Sequence, residues 1–289
     1  MEFIHAVFEY GFLQKALLTS IMVGIISGVI GSFIVLRGMA LMGDAISHAV
    51  LPGVAISYML GVNFFYGAVI TGILAALGIG FVNSNSNIKN DSSIGIVFTA
   101  FFALGIVLIT SLTSSTDLYH ILFGNVLAVR SSDMWLTLII GIIILACVYL
   151  FYKELLISSF DPTMSATYGL PNQFIHYFLM TLLTLVTVAS LQTVGVILVV
   201  AMLITPASTA YLLTNRLSTM IFLAMGFGVI AAIVGLYLSF IHNLSSGGSI
   251  VLVSAALFVI VFIISPKHGV LFKKLASNRK RNEVRMNNG

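Results

Sequence analysis

Charged side chains are scarce. Asp, Glu, Lys and Arg make up 8% of the 289 residues, while 59% are hydrophobic. A soluble domain carries about 25% charged residues, so this chain has too few polar groups to clothe a water-facing surface. Cysteine is nearly missing as well. Cys147 stands alone in an apolar run, which excludes an internal disulfide and a thiolate metal site and leaves a small packing residue. No GxxxxGK[ST] phosphate loop and no HExxH motif occurs, and no Ser/Lys or Ser/His arrangement is placed for a membrane hydrolase. Any step driven by ATP would need another polypeptide to supply it. Alternating strands of about 10 residues, the mark of a membrane β-barrel, are also missing. The opening MEFIHAVFEYGFLQKALL lacks a basic n-region and carries Glu2 and Glu9, so no cleavable signal is expected.

What the chain has is long apolar runs, several exceeding the roughly 18 residues that cross a bilayer as a helix. Membrane-length segments fall near 12–36, 39–60, 64–83, 93–113, 131–152, 174–193, 196–213, 217–241 and 249–265. Between the sixth and seventh only Gln192, Thr193 and Gly195 offer a turn, so eight spans with a re-entrant piece compete with nine. The expectation is an all-α polytopic membrane protein: one transmembrane domain over 1–266 and a basic tail over 267–289. Nine spans with a cytoplasmic C-terminus would put Arg37, Lys89, Lys153, Arg216 and every base from Lys267 to Arg285 on the cytoplasmic side, and only Lys15 and Arg130 outside. That is the asymmetry the positive-inside rule requires. Arg37 then reads as an anchor at the inner surface, within reach of lipid phosphates, and the tail as an anchor on the inner leaflet. Small residues recur at packing intervals (Gly24 with Gly28, Ser27 with Gly31, Gly72 with Ala76), which suits close helix contact in lipid. No internal repeat is visible, unlike many secondary transporters.

Against this background RGMALMGDAISHAVLPGVA, residues 37–55, is out of place: Asp44 and His48 lie four residues apart and Pro52 follows four residues later. A spacing of four sets both side chains on one helix face. An ionised Asp at mid-bilayer costs on the order of 3 kcal/mol, so the carboxylate must face protein or water. Three readings compete: the pair as structural glue, as a proton relay, or as ligands for a translocated divalent metal. Oxygen plus imidazole nitrogen suits manganese, zinc or ferrous iron. One chain offers two ligands, and two copies across a two-fold axis would offer four and roughly neutralise the ion. Pro52 removes a backbone hydrogen bond and is expected to kink its helix.

Two further stretches stand out. SSTDLYHILFGNVLAVRSSD, residues 114–133, is too short to span and too apolar for an ordinary loop, as in a re-entrant or interfacial segment. Asp117 and His120, three apart, are candidate vestibule residues, with a plain surface helix as the alternative. In YKELLISSFDPTMSATYGLPNQ, residues 152–173, Asp161 is placed as N-cap, Pro162 at the first helical position and Gly169 at the stop. This predicts a short capped helix between two spans, shaped for docking.

Together LRGMALMGDAISHAVLPGVA, SSTDLYHILFGNVLAV, SFDP and VGVILVVAMLITPASTAYLL resemble the permease subunit of bacterial ABC importers for manganese, zinc and iron, most of all the manganese type. The resemblance runs from about Phe12 to Pro266, with motifs in matching order. It implies a type II importer bundle with re-entrant helices near the outer mouth, arranged as a two-fold homodimer. It further implies two cytoplasmic ATPase subunits and an extracytoplasmic metal-binding lipoprotein or periplasmic protein. By the same resemblance Asp44 and His48 belong to the metal pathway, and Phe160, Asp161 and Pro162 to the coupling helix, about 158–170, that seats in the ATPase. Such a chain is a transport subunit, not an enzyme. It carries its metal as cargo with no permanently bound cofactor, contacts membrane lipid and takes no nucleic-acid partner. The rivals are an ion-coupled secondary carrier working without an ATPase, and a membrane metallohydrolase built around Asp44 and His48.

Overall fold

The computed structural model describes residues 2–111 and 126–265, and every regular element among them is helical. Asp117, His120 and the tail from Pro266 onward lie outside the described residues. A short helix α1 (Glu2–Glu9) precedes α2 (Gly11–Leu36). Then follow α3 (Leu41–Ala49), α4 (Leu51–Leu60), α5 (Phe64–Asn85), α6 (Asn90–Thr110) and α7 (Ser131–Leu150). The short α8 (Tyr152–Phe160) and α9 (Pro162–Thr167) lead into α10 (Asn172–Val194), α11 (Val196–Tyr211), α12 (Leu217–His242) and α13 (Ser246–Ile264).

Among the described residues seven helices (α2, α5, α6, α7, α10, α12 and α13) are long and apolar enough to cross a membrane. Two expected segments take other forms. The 39–60 run is two consecutive helices, and 196–213 is the 16-residue α11. A helix of that length rises about 24 Å, short of the roughly 30 Å hydrocarbon layer. The break before it is a single residue: Gly195 has φ +83, while Gln192 and Thr193 stay within α10. Helices suit this chain because lipid offers backbone groups no partner. Several buried hydroxyls turn to their own helix likewise: Ser32 donates to Gly28 O at 2.7 Å, Ser47 to Gly43 O at 2.7 Å and Thr184 to Met180 O at 2.9 Å.

Glycines set which helices meet. α2 is the most enclosed span, packed on α12 where Gly24 faces Gly228 backbone to backbone; a Cβ on Gly24 would stand 2.9 Å from the Gly228 carbonyl. Gly31 is closed by the Leu203 carbonyl of α11 in the same way. Large apolar side chains such as Val107, Ile142 and Leu252 point outward from α6, α7 and α13, as a lipid-facing surface requires. Cys147 is half-buried against the core.

The break between α3 and α4 has a local cause. Pro52 is the second residue of α4, and without an N–H it cannot bond the carbonyl four residues back. The Val50 carbonyl accepts from Val54 N at 3.1 Å, and the Thr71 hydroxyl of α5, 2.8 Å from Gly67 O, also lies 3.3 Å from it. Directly beyond, Gly53 and Gly67 bring α4 and α5 together. A Cβ on Gly53 would stand 2.0 Å from the Gly67 carbonyl oxygen, and neither backbone can yield alone. Overpacking of this kind costs about 1–3 kcal/mol. Gly53→Ala should therefore lower the thermal midpoint of the purified protein by several degrees, while Gly11→Ala, with open space around it, leaves it unchanged. An unaltered midpoint in Gly53→Ala would contradict the close approach.

Candidate functional site

Asp44 is the fourth residue of α3 and His48 the eighth. His48 Nε2 lies 3.6 Å from Asp44 Oδ1, so the spacing of four does set the two on one face. That separation exceeds the 2.7–3.2 Å typical of an N–H···O hydrogen bond. The pair is adjacent without being locked. Its two members are held differently. The His48 ring is fixed by α6, edge-on to Phe102 with centroids 5.4 Å apart and tilted against Phe98 at 5.7 Å. Its Nδ1 is buried with no hydrogen-bond partner. The Asp44 side chain is 48% exposed, against 26% for His48, and it accepts no hydrogen bond from the described residues. On its other side α3 rests on α11, where Leu203 Cδ1 would stand 3.1 Å from a Cβ on Gly43. A carboxylate and an imidazole nitrogen thus lie side by side, both partly exposed, with Phe98 and Phe102 against the imidazole.

At one end of the bundle lies the short helix read from the FDP stretch. Asp161 is its N-cap and accepts from Met164 N at 2.9 Å; Pro162 opens α9, and Gly169 stops the turn at φ +74. Asn172, the first residue of α10, braces this helix: its Nδ2 donates to Pro162 O at 2.7 Å and its Oδ1 accepts from the Ser165 hydroxyl. Around the cap Phe160, Met164 and Tyr168 are exposed, at 55%, 48% and 66%. Three large apolar side chains on one small knob outside the spans make an exposed patch of the kind that marks a protein contact. The Met164 N–H, followed by the Thr163 hydroxyl, holds the Asp161 carboxyl below its usual value of 3.8. A depressed carboxyl supports the fold above its unfolded value, and that support is lost as pH falls through the folded value. The cap is complete at neutral pH.

Sequence reasoning missed one residue here. Arg37, taken as a surface anchor, is partly buried, and desolvation lowers its pKa to about 10, still charged at neutral pH. Its Nε donates to Ser159 Oγ at 2.9 Å and its Nη2 to Ser158 Oγ at 2.5 Å, both on α8. A separation of more than 120 residues hid that partnership.

At the opposite end a cavity of about 500 Å³ is bordered by Asn63, Arg130, Asp133, Gln192 and Thr193 and reaches inward to Val54 of α4. Among the described residues no group of three or more His, Cys, Asp or Glu comes together. Asp117 and His120 cannot be placed with respect to the pair or the cavity, lying as they do outside the described residues.

The comparison with known families now decides the identity of the bundle: the ABC 3 transport family matches residues 9–265. The chain belongs to the ABC 3 transport family. Its relatives share nearly their full length with it. It is 69% identical over 274 residues to the manganese transport system membrane protein MntC of Listeria innocua, covering 95% of this chain and 98% of that one. It is 52% identical over 274 residues to the manganese import system permease protein ScaB of Streptococcus gordonii, covering 95% and 99%. The solved structure of PsaBC from Streptococcus pneumoniae in complex with Fab superposes with a TM-score of 0.85 at 54% identity, covering 94% of this chain and 99% of that one. With its seven membrane-length helices, this ABC 3 family member is a multi-pass membrane protein of the permease type.

A test of the knob follows from its cap. Asp161→Ala removes the acceptor for the Met164 N–H, whereas Asp161→Asn retains one. Amide exchange at Met164 should quicken markedly in the first variant and little in the second. Equal exchange in both would contradict the capping role.

Proposed function

We propose that the protein is the membrane subunit of an ATP-driven importer of a divalent transition metal, with manganese as its principal cargo. The family and the manganese names carried by the relatives support the cargo. The observation that carries the role of the site is the Asp44 carboxylate, about half exposed on a helix in a membrane-length segment, beside an imidazole with which it forms no close bond. Lipid penalises such a group, so a second copy and a passing cation cover it. Two chains related by a two-fold axis supply two carboxylates and two imidazoles. Their charge balances a divalent ion, and hard oxygen with borderline nitrogen suits manganese, zinc or ferrous iron.

In this reading α3 and α4 together make one crossing and α11 another, which gives nine crossings. The N-terminus is then outside, the C-terminus cytoplasmic and the knob at α9 cytoplasmic. Phe160, Asp161 and Pro162 present that knob to an ATPase subunit, and the exposed Phe160, Met164 and Tyr168 supply its apolar contact. The cavity near Arg130 and Asp133 faces outward, where a metal-binding lipoprotein delivers the ion. ATP binding and hydrolysis on the partners move the knobs and switch the dimer between outward- and inward-open states. The ion then passes the paired helices held loosely enough to leave.

The test is uptake of radioactive manganese by cells lacking the native gene and carrying the Asp44→Asn/His48→Ala variant with its ATPase. Accumulation should fall to background while the ATPase still co-purifies. Unchanged uptake would defeat the ligand assignment, and ion-driven uptake in liposomes without an ATPase would favour a secondary carrier. Competition by zinc and ferrous iron in the unaltered protein ranks the cargo.

A further inference from the structure

Arg37 occupies a junction that the transport reading leaves without a role. It is the first residue after α2, and the chain behind it closes tightly: Gly38 N bonds Val35 O at 3.1 Å and Met39 N bonds Ile34 O at 3.0 Å, with Gly38 at φ +66. This is the paired closure of a helix ending in a left-handed glycine. It leaves no slack, and α3 begins at Leu41, carrying Asp44 in its first turn. Whatever moves Arg37 therefore moves the start of the helix that holds Asp44 and His48.

On its other side Arg37 grips α8. Its Nε and Nη2 each donate to one of two consecutive hydroxyls, Ser159 and Ser158. Ser159 in turn donates to Leu155 O at 2.6 Å, so the pair sits on the helix backbone and not on a free loop. Ser159 is two residues from Asp161 and three from Pro162, where α9 begins. The planar fork of a guanidinium holds two adjacent acceptors in fixed orientation, which a lysine point charge cannot do. Among the described residues no carboxylate pairs with Arg37. A partly buried cation held by two neutral hydroxyls is a costlier way to fasten two helices than an apolar contact.

We infer that Arg37 is the positioning residue that carries movement of the docking helix α9 to the helix bearing Asp44 and His48, through the hydroxyls of Ser158 and Ser159. The inference rests on the transport reading above and adds the path by which the two ends of that machine communicate. The other brace of α9, Asn172, leads into α10, which itself packs on α3; the Arg37 clamp differs in joining the chain just ahead of α3 through side-chain hydrogen bonds.

The experiment uses the permease co-purified with its ATPase and reconstituted in proteoliposomes, with manganese(II) presented on the metal-binding protein. It reads manganese moved per ATP hydrolysed. Arg37→Ala should still bind the ATPase and hydrolyse ATP, yet move at least about ten-fold less manganese per ATP, the scale set by losing hydrogen bonds to a charged group. Ser158→Ala/Ser159→Ala should uncouple to a similar degree, and Arg37→Lys should recover part of the ratio. A wild-type ratio in Arg37→Ala or in the serine double variant overturns the inference, as does loss of ATPase binding in the serine variant. Should Arg37→Ala fail to fold, the serine variant decides, since it removes only two hydroxyl oxygens. Failure of the unaltered complex to take up manganese with ATP would instead contradict the transport reading itself.

Discussion

An ionisable pair placed in a chain too apolar to live in water is the constraint from which the rest of the structure follows. Asp44 and His48 cannot be left to lipid, and the described residues do not fully enclose them. The carboxylate is half exposed, and the 3.6 Å separation leaves both groups able to take another partner. Phe98 and Phe102 orient the imidazole without competing for it. An arrangement that held the pair as internal glue would bring the two into a hydrogen bond and bury both. This one presents two donors toward whatever covers them.

Packing around the pair makes that presentation rigid. Gly53 against Gly67, Gly24 against Gly228 and Gly31 against Leu203 bring backbones into contact that no side chain would allow, so the helices flanking α3 are fixed at close range. Against that frame the α3–α4 segment is interrupted at Val50, ahead of Pro52. The Arg37 clamp enters at the N-terminal end of the same segment, so close-packed helices, a helix interruption and a hydrogen-bonded tie to α8 occur together along it.

Much of this was legible in the amino-acid order. The apolar runs became helical because lipid admits little else, and Asp161, Pro162 and Gly169 foretold the capped turn because each serves a local backbone need. The pairing of Asp44 with His48 followed from helical geometry. What could not be read depends on residues far apart in the chain. Gly24 and Gly28 were visible as packing positions, yet nothing near them in the chain names Gly228 or Ala224 as what they meet. Arg37 looked like a surface anchor because its serine partners lie in another helix. The 39–60 run looked like one kinked helix, and the structure divides it, since a proline marks where a bond is lost but not how far the break extends.

The central claim is that two copies of this chain complete the coordination of one cation. It is tested most directly by electron–nuclear double resonance of manganese(II) bound to the purified, ATPase-associated protein grown with nitrogen-15 histidine. The account predicts coupling to two equivalent imidazole nitrogens, both lost when His48 alone is replaced. Coupling to a single nitrogen, or none, with manganese still bound, would contradict it.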